Sequence, residues 1–383
     1  MNLLKRPVPY NLGSTSMVVW WETDSDSVTG HGLNVQLSGG SPTFYAATTR
    51  IFKKQDGTNA TSHFVELTGL LQNSITTVQV VGPNYISTPT WSFEHVPLDE
   101  ELNFAVINDV EGNFSDGIVD DLEYLMLFKH SDANAILSCG DLLTPGEQPD
   151  YYEWSRIYAN LSTFLESSKG TVFASTDVSK TLMGQHLFPN SPTRAPYFAN
   201  TIANIRVVAL DTSPSGRKSL AAGGNQLRWF LNEIKSREWK NADYRIILGS
   251  TPPTTSLWGD DGRYADGTDR FLNQSVGSML KNSGATLAIF GSGHSYQRGV
   301  YPSDYPAFED LPVQYVICSG FNSPHTNRVG DWTAESEPSF IVSSSENHYV
   351  RLTVNSSALT LVARDWSSDA LIDQISFSPR NLD

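Results

Sequence analysis

Leu102-Asn-Phe-Ala-Val-Ile-Asn-Asp-Val-Glu111 is the stretch on which the fold turns. A short apolar run, 103–107, ends in Asn108, Asp109 and Glu111, and the chain is built differently on its two sides. Before it, strand-like runs at 16–23, 32–37, 43–52, 63–67 and 75–81 follow one another between Gly, Asp, Asn and Ser with no helical stretch. That is the pattern of a β-sandwich. After it, apolar runs at 103–107, 135–139, 171–174, 205–210, 244–248 and 285–290 alternate with segments of helical character at 115–128, 150–165, 225–239 and 268–281. In the third helical segment, Leu227, Phe230, Leu231 and Ile234 recur at helical spacing and are expected to form one apolar face. Strand-like runs return at 313–318, 339–342, 349–354 and 359–363. The expected organisation is a β-module over residues 1–97 followed by a large α/β domain over 98–383.

Composition narrows the function classes. A chain of 383 residues with 39% hydrophobic and 11% aromatic residues has ample material for buried cores, which excludes a disordered chain or a disulfide-stapled miniature. The formal charge of -15, from 26 basic against 41 acidic residues, argues against a nucleic-acid partner, because phosphate backbones are held by clustered Lys and Arg. No run approaches the roughly 20 apolar residues of a membrane span, and the N-terminus lacks the apolar stretch of a signal peptide, so membrane insertion is not expected. Cys139 and Cys318 each sit in an apolar run and read as buried free thiols rather than a disulfide.

Chemistry is sought where the strands end, since ligands of α/β sheets gather outside the carboxyl ends of the strands. The runs close on Asn108-Asp109-Val110-Glu111, Gly140-Asp141, Ala174-Ser175-Thr176-Asp177, Gly249-Ser250 and Gly291-Ser292-Gly293-His294. Carboxylates gathered with an imidazole either shift their pKa values or demand a cation, so one reading is a metal site. The other is that these Asp residues cap loops and helices.

Asp109, Gly140-Asp141, the Gly291 to Arg298 stretch and Gln226-Leu-Arg-Trp229 resemble landmarks of the calcineurin-like metallophosphoesterases, specifically the purple acid phosphatases. Thr15-Ser-Met-Val-Val-Trp-Trp21, Val65-Glu-Leu-Thr-Gly-Leu70 and Trp91-Ser-Phe93 resemble the fibronectin type III-like module that precedes the catalytic domain in that family. The resemblance covers nearly the whole chain. It implies an N-terminal fibronectin type III-like β-sandwich followed by an α/β calcineurin-like phosphoesterase domain, an α/β/β/α sandwich.

Active members of that family hold a pair of metal ions, and their ligand positions carry over unevenly. The first motif's Asp is Asp109, with Glu111 where the family has glycine, and the bridging Asp is Asp141. The iron-binding tyrosine is replaced by Thr144, and the metal-binding Asn and substrate-facing His of the third motif fall on Ser175 and Thr176. The fourth motif's His is Ser250, and of the two His in the fifth only His294 remains, the other being Ser292. One metal position keeps Asp109, Asp141 and His294, with Glu111 near in sequence; the other keeps Asp141 alone. His294 reads either as a ligand or as a histidine hydrogen-bonded to the carboxylates. The expected cofactor is none, or one divalent ion, with Mg, Mn or Ca favoured over Zn or Fe by the oxygen donors.

Hydrolysis between two ions clamps the attacking and leaving oxygens, and a titratable acid protonates the leaving group; Thr176 is no such acid. The expected function is a catalytically degenerate purple-acid-phosphatase-like protein, a pseudoenzyme acting as a binding or assembly component. Protein partners, a homo-oligomer or a larger assembly go with that reading, and a virion or cell-surface protein is one setting for it. The alternative is a phosphoesterase running on one metal at Asp109, Glu111, Asp141 and His294. Arg298 reads as structural, His186 and His325 as loop histidines near the rim, and Trp258, Trp332 and Trp366 as either contact anchors or core.

Overall fold

The computed structural model describes residues 2–24, 27–54, 56–71, 74–83, 88–94, 101–108, 129–140, 155, 158, 170–173, 197–213, 216–255, 272–293, 295–304, 311–318 and 339–380. The N-terminal strands are β1 (Leu3–Gly13), β2 (Ser16–Thr23), β3 (Gly32–Leu37), β4 (Thr43–Ala46), β5 (Thr48–Lys53), β6 (Asn59–Thr68), β7 (Ile75–Val81) and β8 (Thr90–Glu94). They form two antiparallel sheets, ordered β1-β2-β6-β5 and β4-β3-β7-β8. Period-two alternation sends Met17, Val19, Trp21, Val65 and Leu67 of one sheet into a shared core with Leu33, Val35, Val78, Val80 and Phe93 of the other. The opposite face of β2 is buried too: Trp20 meets the ring of Tyr158 edge-on at 6.1 Å, and Glu22 pairs with Lys5 at 2.8 Å. Burial on both faces is why this strand reads as a nearly continuous apolar run.

Two differences from the sequence reading have local causes. The run 43–52 is two strands, because the chain crosses between sheets at Ala47, whose N–H donates to the His31 carbonyl at 2.8 Å. β1 is a strand that the pattern hides, since Pro7 and Pro9 interrupt it and its pairing to β2 shifts register three times. Prolines are tolerated there because β1 is an edge strand.

Beyond residue 100 lie β9 (Leu102–Asn108), β10 (Ala135–Gly140), β11 (Gly170–Phe173), β12 (Phe198–Ile202), β13 (Ile205–Leu210), β14 (Tyr244–Gly249), β15 (Leu287–Phe290), β16 (Tyr296–Tyr301), β17 (Val313–Cys318), β18 (Ser339–Ser344), β19 (His348–Val354), β20 (Leu359–Asp365) and β21 (Leu371–Phe377). One mixed sheet runs β11-β10-β9-β19-β20-β21 and the other β12-β13-β14-β15-β17-β16-β18. β9 to β11 are parallel, as are β13, β14, β15 and β17, whereas β12, β16 and β18 to β21 join antiparallel.

Alternation sorts the second sheet into two cores. Val207, Ala209, Ile246, Leu248, Leu287, Ile289 and Val316 face Phe104, Val106, Leu137, Val350 and Leu352 of the first sheet. Val208, Leu210, Ile247, Ala288, Phe290 and Tyr315 face helices instead. Those are α1 (Arg217–Leu220), α2 (Asn225–Glu233), α3 (Arg237–Asn241), a π-helical turn (Asn273–Gly277) and α4 (Ser278–Lys281). Helix, sheet and sheet are thus stacked in layers; the expected helices at 115–128 and most of 150–165 lie outside the described residues.

The expected helix 225–239 is broken, because Ser236 Oγ accepts from Trp239 N–H at 3.0 Å and starts α3 afresh. Its apolar face is also rotated. Phe230 and Ile234 are buried and Leu227 partly so, but Leu231 is 41% exposed and Gln226 is fully buried. Gln226 is drawn inward because its amide serves the backbone of Asp211, accepting from its N–H at 2.7 Å and donating to its carbonyl at 3.0 Å.

Candidate functional site

β9, β10 and β17 are held at their carboxyl ends by one amide. Asn108, the last residue of β9, is 2% exposed. Its Oδ1 accepts the Cys139 N–H on β10, in the same sheet, while its Nδ2 donates to the Cys318 carbonyl and thiol, each at 3.0 Å, at the end of β17 in the facing sheet. Cys139 returns a bond across the sandwich, its thiol donating to the Ile289 carbonyl at 3.2 Å. Both cysteines are free and buried, and burial pushes the Cys318 thiol up to about 12 against the pull of the Asn108 hydrogen bond. Such thiols are inert packing groups at neutral pH.

Gly291, just past β15, closes this floor. A Cβ on it would stand 3.4 Å from the Ser250 carbonyl and 3.6 Å from the Cβ atoms of Asn108 and Cys139. Four strand ends therefore meet within van der Waals distance. Ser250 is 1% exposed, its hydroxyl 3.5 Å from Thr212 Oγ1, which accepts the Thr251 N–H at 2.9 Å. Ser292 is partly exposed and takes a left-handed backbone with φ 52. Non-glycine residues adopt that conformation rarely.

Beside the floor a polar clasp joins the sheets. Asp373 on β21 accepts from Tyr296 Oη at 2.7 Å and from Arg298 Nε at 2.6 Å and Nη2 at 3.1 Å, both on β16. Burial pushes the Asp373 carboxyl up, but the hydrogen bonds from Arg298 and Tyr296 and the guanidinium charge outweigh it and hold the group below the usual carboxylate range. The Tyr296 phenol is pushed up by burial and then by that carboxylate. His348 packs edge-on to Tyr296 with ring centroids 5.6 Å apart. Its Nδ1 donates to the Glu346 carbonyl at 2.9 Å, and burial takes its pKa down to about 4. Arg298 thus has the structural role expected of it.

The expected metal ligands Asp109, Glu111, Asp141 and His294 lie outside the described residues, as do Thr144, Ser175, Thr176, Asp177, His186, His325, Trp258 and Trp332. Trp366 is partly buried, its N–H donating to the Asn347 carbonyl at 2.9 Å. Among the described residues, no group of three or more His, Cys, Asp or Glu stands close enough to hold a metal ion, and no helix is long and apolar enough to cross a membrane. Asp373 and His348 escaped the sequence reading, and Asn108 entered it only as a strand-closing residue with no role assigned. Asn108 alone carried a signal, a buried-strand terminus directly before Asp109.

A purple acid phosphatase, PPD1, isolated from yellow lupin (Lupinus luteus) seeds matches this chain with a TM-score of 0.78 over 98% of this chain and 74% of that chain, at 14% identity. The chain has the purple acid phosphatase fold. GAP50, the anchor in the inner membrane complex of Plasmodium, matches with a TM-score of 0.48 and 12% identity over 73% of this chain and 90% of that chain, too loosely to build on. No protein-family model and no curated protein matches the sequence. Within the purple acid phosphatase fold, the resemblance assigns two metal-binding imidazoles to the positions of Ser250 and Ser292. Ser250 is a buried hydroxyl set against another hydroxyl, and a neutral serine is a poorer metal donor than an imidazole.

Proposed function

We propose that this chain keeps the phosphatase fold without two-metal phosphatase chemistry and serves as a binding or assembly component. The observation that carries the reading is Ser250, sealed at the carboxyl end of β14 and committed to Thr212, where a metal-binding imidazole is expected. A two-ion clamp needs donors on both sides of the shared carboxylate, and this side offers hydroxyls. The formal charge of -15 supports the same reading, since without a metal pair an anionic ester is repelled at long range. The N-terminal strands, with sheets ordered β1-β2-β6-β5 and β4-β3-β7-β8, are read as a fibronectin type III-like module over 1–97, and 98–383 as the calcineurin-like domain with an α/β/β/α arrangement. Protein partners in a larger assembly, at a virion or cell surface, belong to this proposal.

The competing outcome is a single-ion phosphoesterase at Asp109, Glu111, Asp141 and His294. Metal analysis of the purified chain, paired with hydrolysis of an aryl phosphate under added Mg, Mn, Ca, Zn or Fe, separates the two. Absence of turnover with every metal supports the scaffold; turnover that disappears in Asp141→Ala overturns it.

A further inference from the structure

His31 and His63 are stacked inside the N-terminal pair of sheets. His63, on β6, is fully buried, its ring 5.2 Å from Trp21 at 19° and 4.3 Å from His31 at 34°. Its Nε2 lies 2.8 Å from Thr23 Oγ1 on β2 and its Nδ1 3.0 Å from Thr49 Oγ1 on β5. A neutral ring donates from one nitrogen and accepts at the other. A protonated ring donates from both, so the hydroxyl that had donated to it loses its acceptor. His31 directly precedes β3 of the second sheet, and its carbonyl receives the Ala47 N–H where the chain crosses between sheets. The stack therefore sits where the two sheets are joined.

Among the described residues, the surrounding elements offer a cation little compensation. On β2, Glu22 is engaged with Lys5 of β1 on the face opposite Trp21 and Thr23, and Asp24 accepts from Asn2. On β5, Arg50 lies over the Phe64 ring, Lys53 is exposed at the strand end, and on β6 Glu66 is exposed. β3 and β7 contain no charged residue. Burial takes the His63 pKa down to about 3, with His31 as the second cause; burial also lowers His31, against a pull from the Ser27 backbone.

We propose that the His31–His63 stack is a proton-operated latch, which holds the two N-terminal sheets together while neutral and releases them on acidification, before the six- and seven-stranded sheets part. Both rings take up a proton more readily when released than when stacked. The closed state is thus fully favoured above about pH 6.5 and loses about tenfold in its closed-to-open ratio per pH unit per histidine below it, until the depressed folded value is reached.

Peptide-resolved hydrogen exchange on the full chain tests this at about pH 7 and about pH 4.5, after correction for the intrinsic pH dependence of exchange. The latch predicts at least about 100-fold faster opening of β2, β5 and β6 at the lower pH, with β13, β14 and β15 opening much less. His31→Phe keeps a ring against His63 without a charge and should reduce the effect. Equal opening of all sheets, or no change in β2, β5 and β6, overturns the proposal. Should His31→Phe fail to fold, imidazole NMR of the unmodified chain decides instead: titration of His63 well below pH 5 in the folded protein supports the latch, and titration near about 6.5 without opening overturns it.

Discussion

Asn108→Ala is the substitution through which the strand-end floor can be weighed. The native amide satisfies the Cys139 N–H, the Cys318 carbonyl and the Cys318 thiol, all buried between the sheets. Alanine leaves the Cys139 N–H, on a residue with no exposed surface, without its acceptor, and an orphaned buried donor costs about 1–3 kcal/mol. The Cys318 carbonyl loses a donor, worth about 1 kcal/mol, and the bond to sulfur adds little. The sum is about 2–4 kcal/mol of unfolding free energy. Asn108→Asp should cost more at neutral pH, because it keeps an acceptor for Cys139 but turns a buried negative oxygen toward the Cys318 carbonyl. Its deficit should shrink on acidification as the carboxyl takes a proton and can donate. Urea unfolding followed by far-UV and near-UV circular dichroism reads both variants. An alanine variant within about 0.5 kcal/mol of the parent, or an Asp variant more stable than the Ala one, would refute the bridging role assigned to this amide.

Further substitutions test the packing around the site and the N-terminal sheets. Asp373→Asn leaves Arg298 and Tyr296 facing an amide and should cost about 3 kcal/mol in urea unfolding. Because the Asp373 carboxyl sits below its ordinary value, the parent's advantage should be complete above about pH 4 and fade as pH falls further, whereas the variant should show no such step. Lys5→Met strands Glu22 with no exposed side-chain surface, for a loss of about 3–5 kcal/mol; the double variant Lys5→Met/Glu22→Leu should recover most of it in the same assay. Ser292→Gly should leave stability unchanged or raise it by up to about 1 kcal/mol, while Ser292→Val should lower the melting temperature, because φ 52 disfavours a branched side chain.

The strands easiest to read were those buried on both faces. Ile205–Leu210 and Tyr244–Gly249 are nearly unbroken apolar runs because each feeds two cores, one between the sheets and one under the helices. β16 was hidden for the opposite reason. Gln297 and Arg298 look solvated in sequence, yet Gln297 is buried on Thr255 and Ser295, and Arg298 on Asp373, partners that no local pattern supplies. β21 was missed likewise, since one of its two buried residues is the charged Asp373, the other being Phe377. In the helical layer, periodicity found Phe230 and Ile234 but placed Leu231 inward and left Gln226 out of the buried face, because hydrophobicity is blind to an amide that caps a neighbouring strand end. At the site, the resemblance implies which metal-donor positions carry other residue types, and the expected ligands Asp109, Glu111, Asp141 and His294 lie outside the described residues. Residue types did not reveal the floor, since Asn108 and Cys318 are 210 residues apart and meet only once both sheets are assembled.

Metal stoichiometry bears most directly on the account. Protein purified without chelator, exchanged into metal-free buffer and analysed by plasma mass spectrometry, should carry no tightly held Zn or Fe pair, and added Zn or Fe should yield no aryl-phosphate turnover. Two ions retained per chain, with turnover abolished by Asp141→Ala, would contradict it outright.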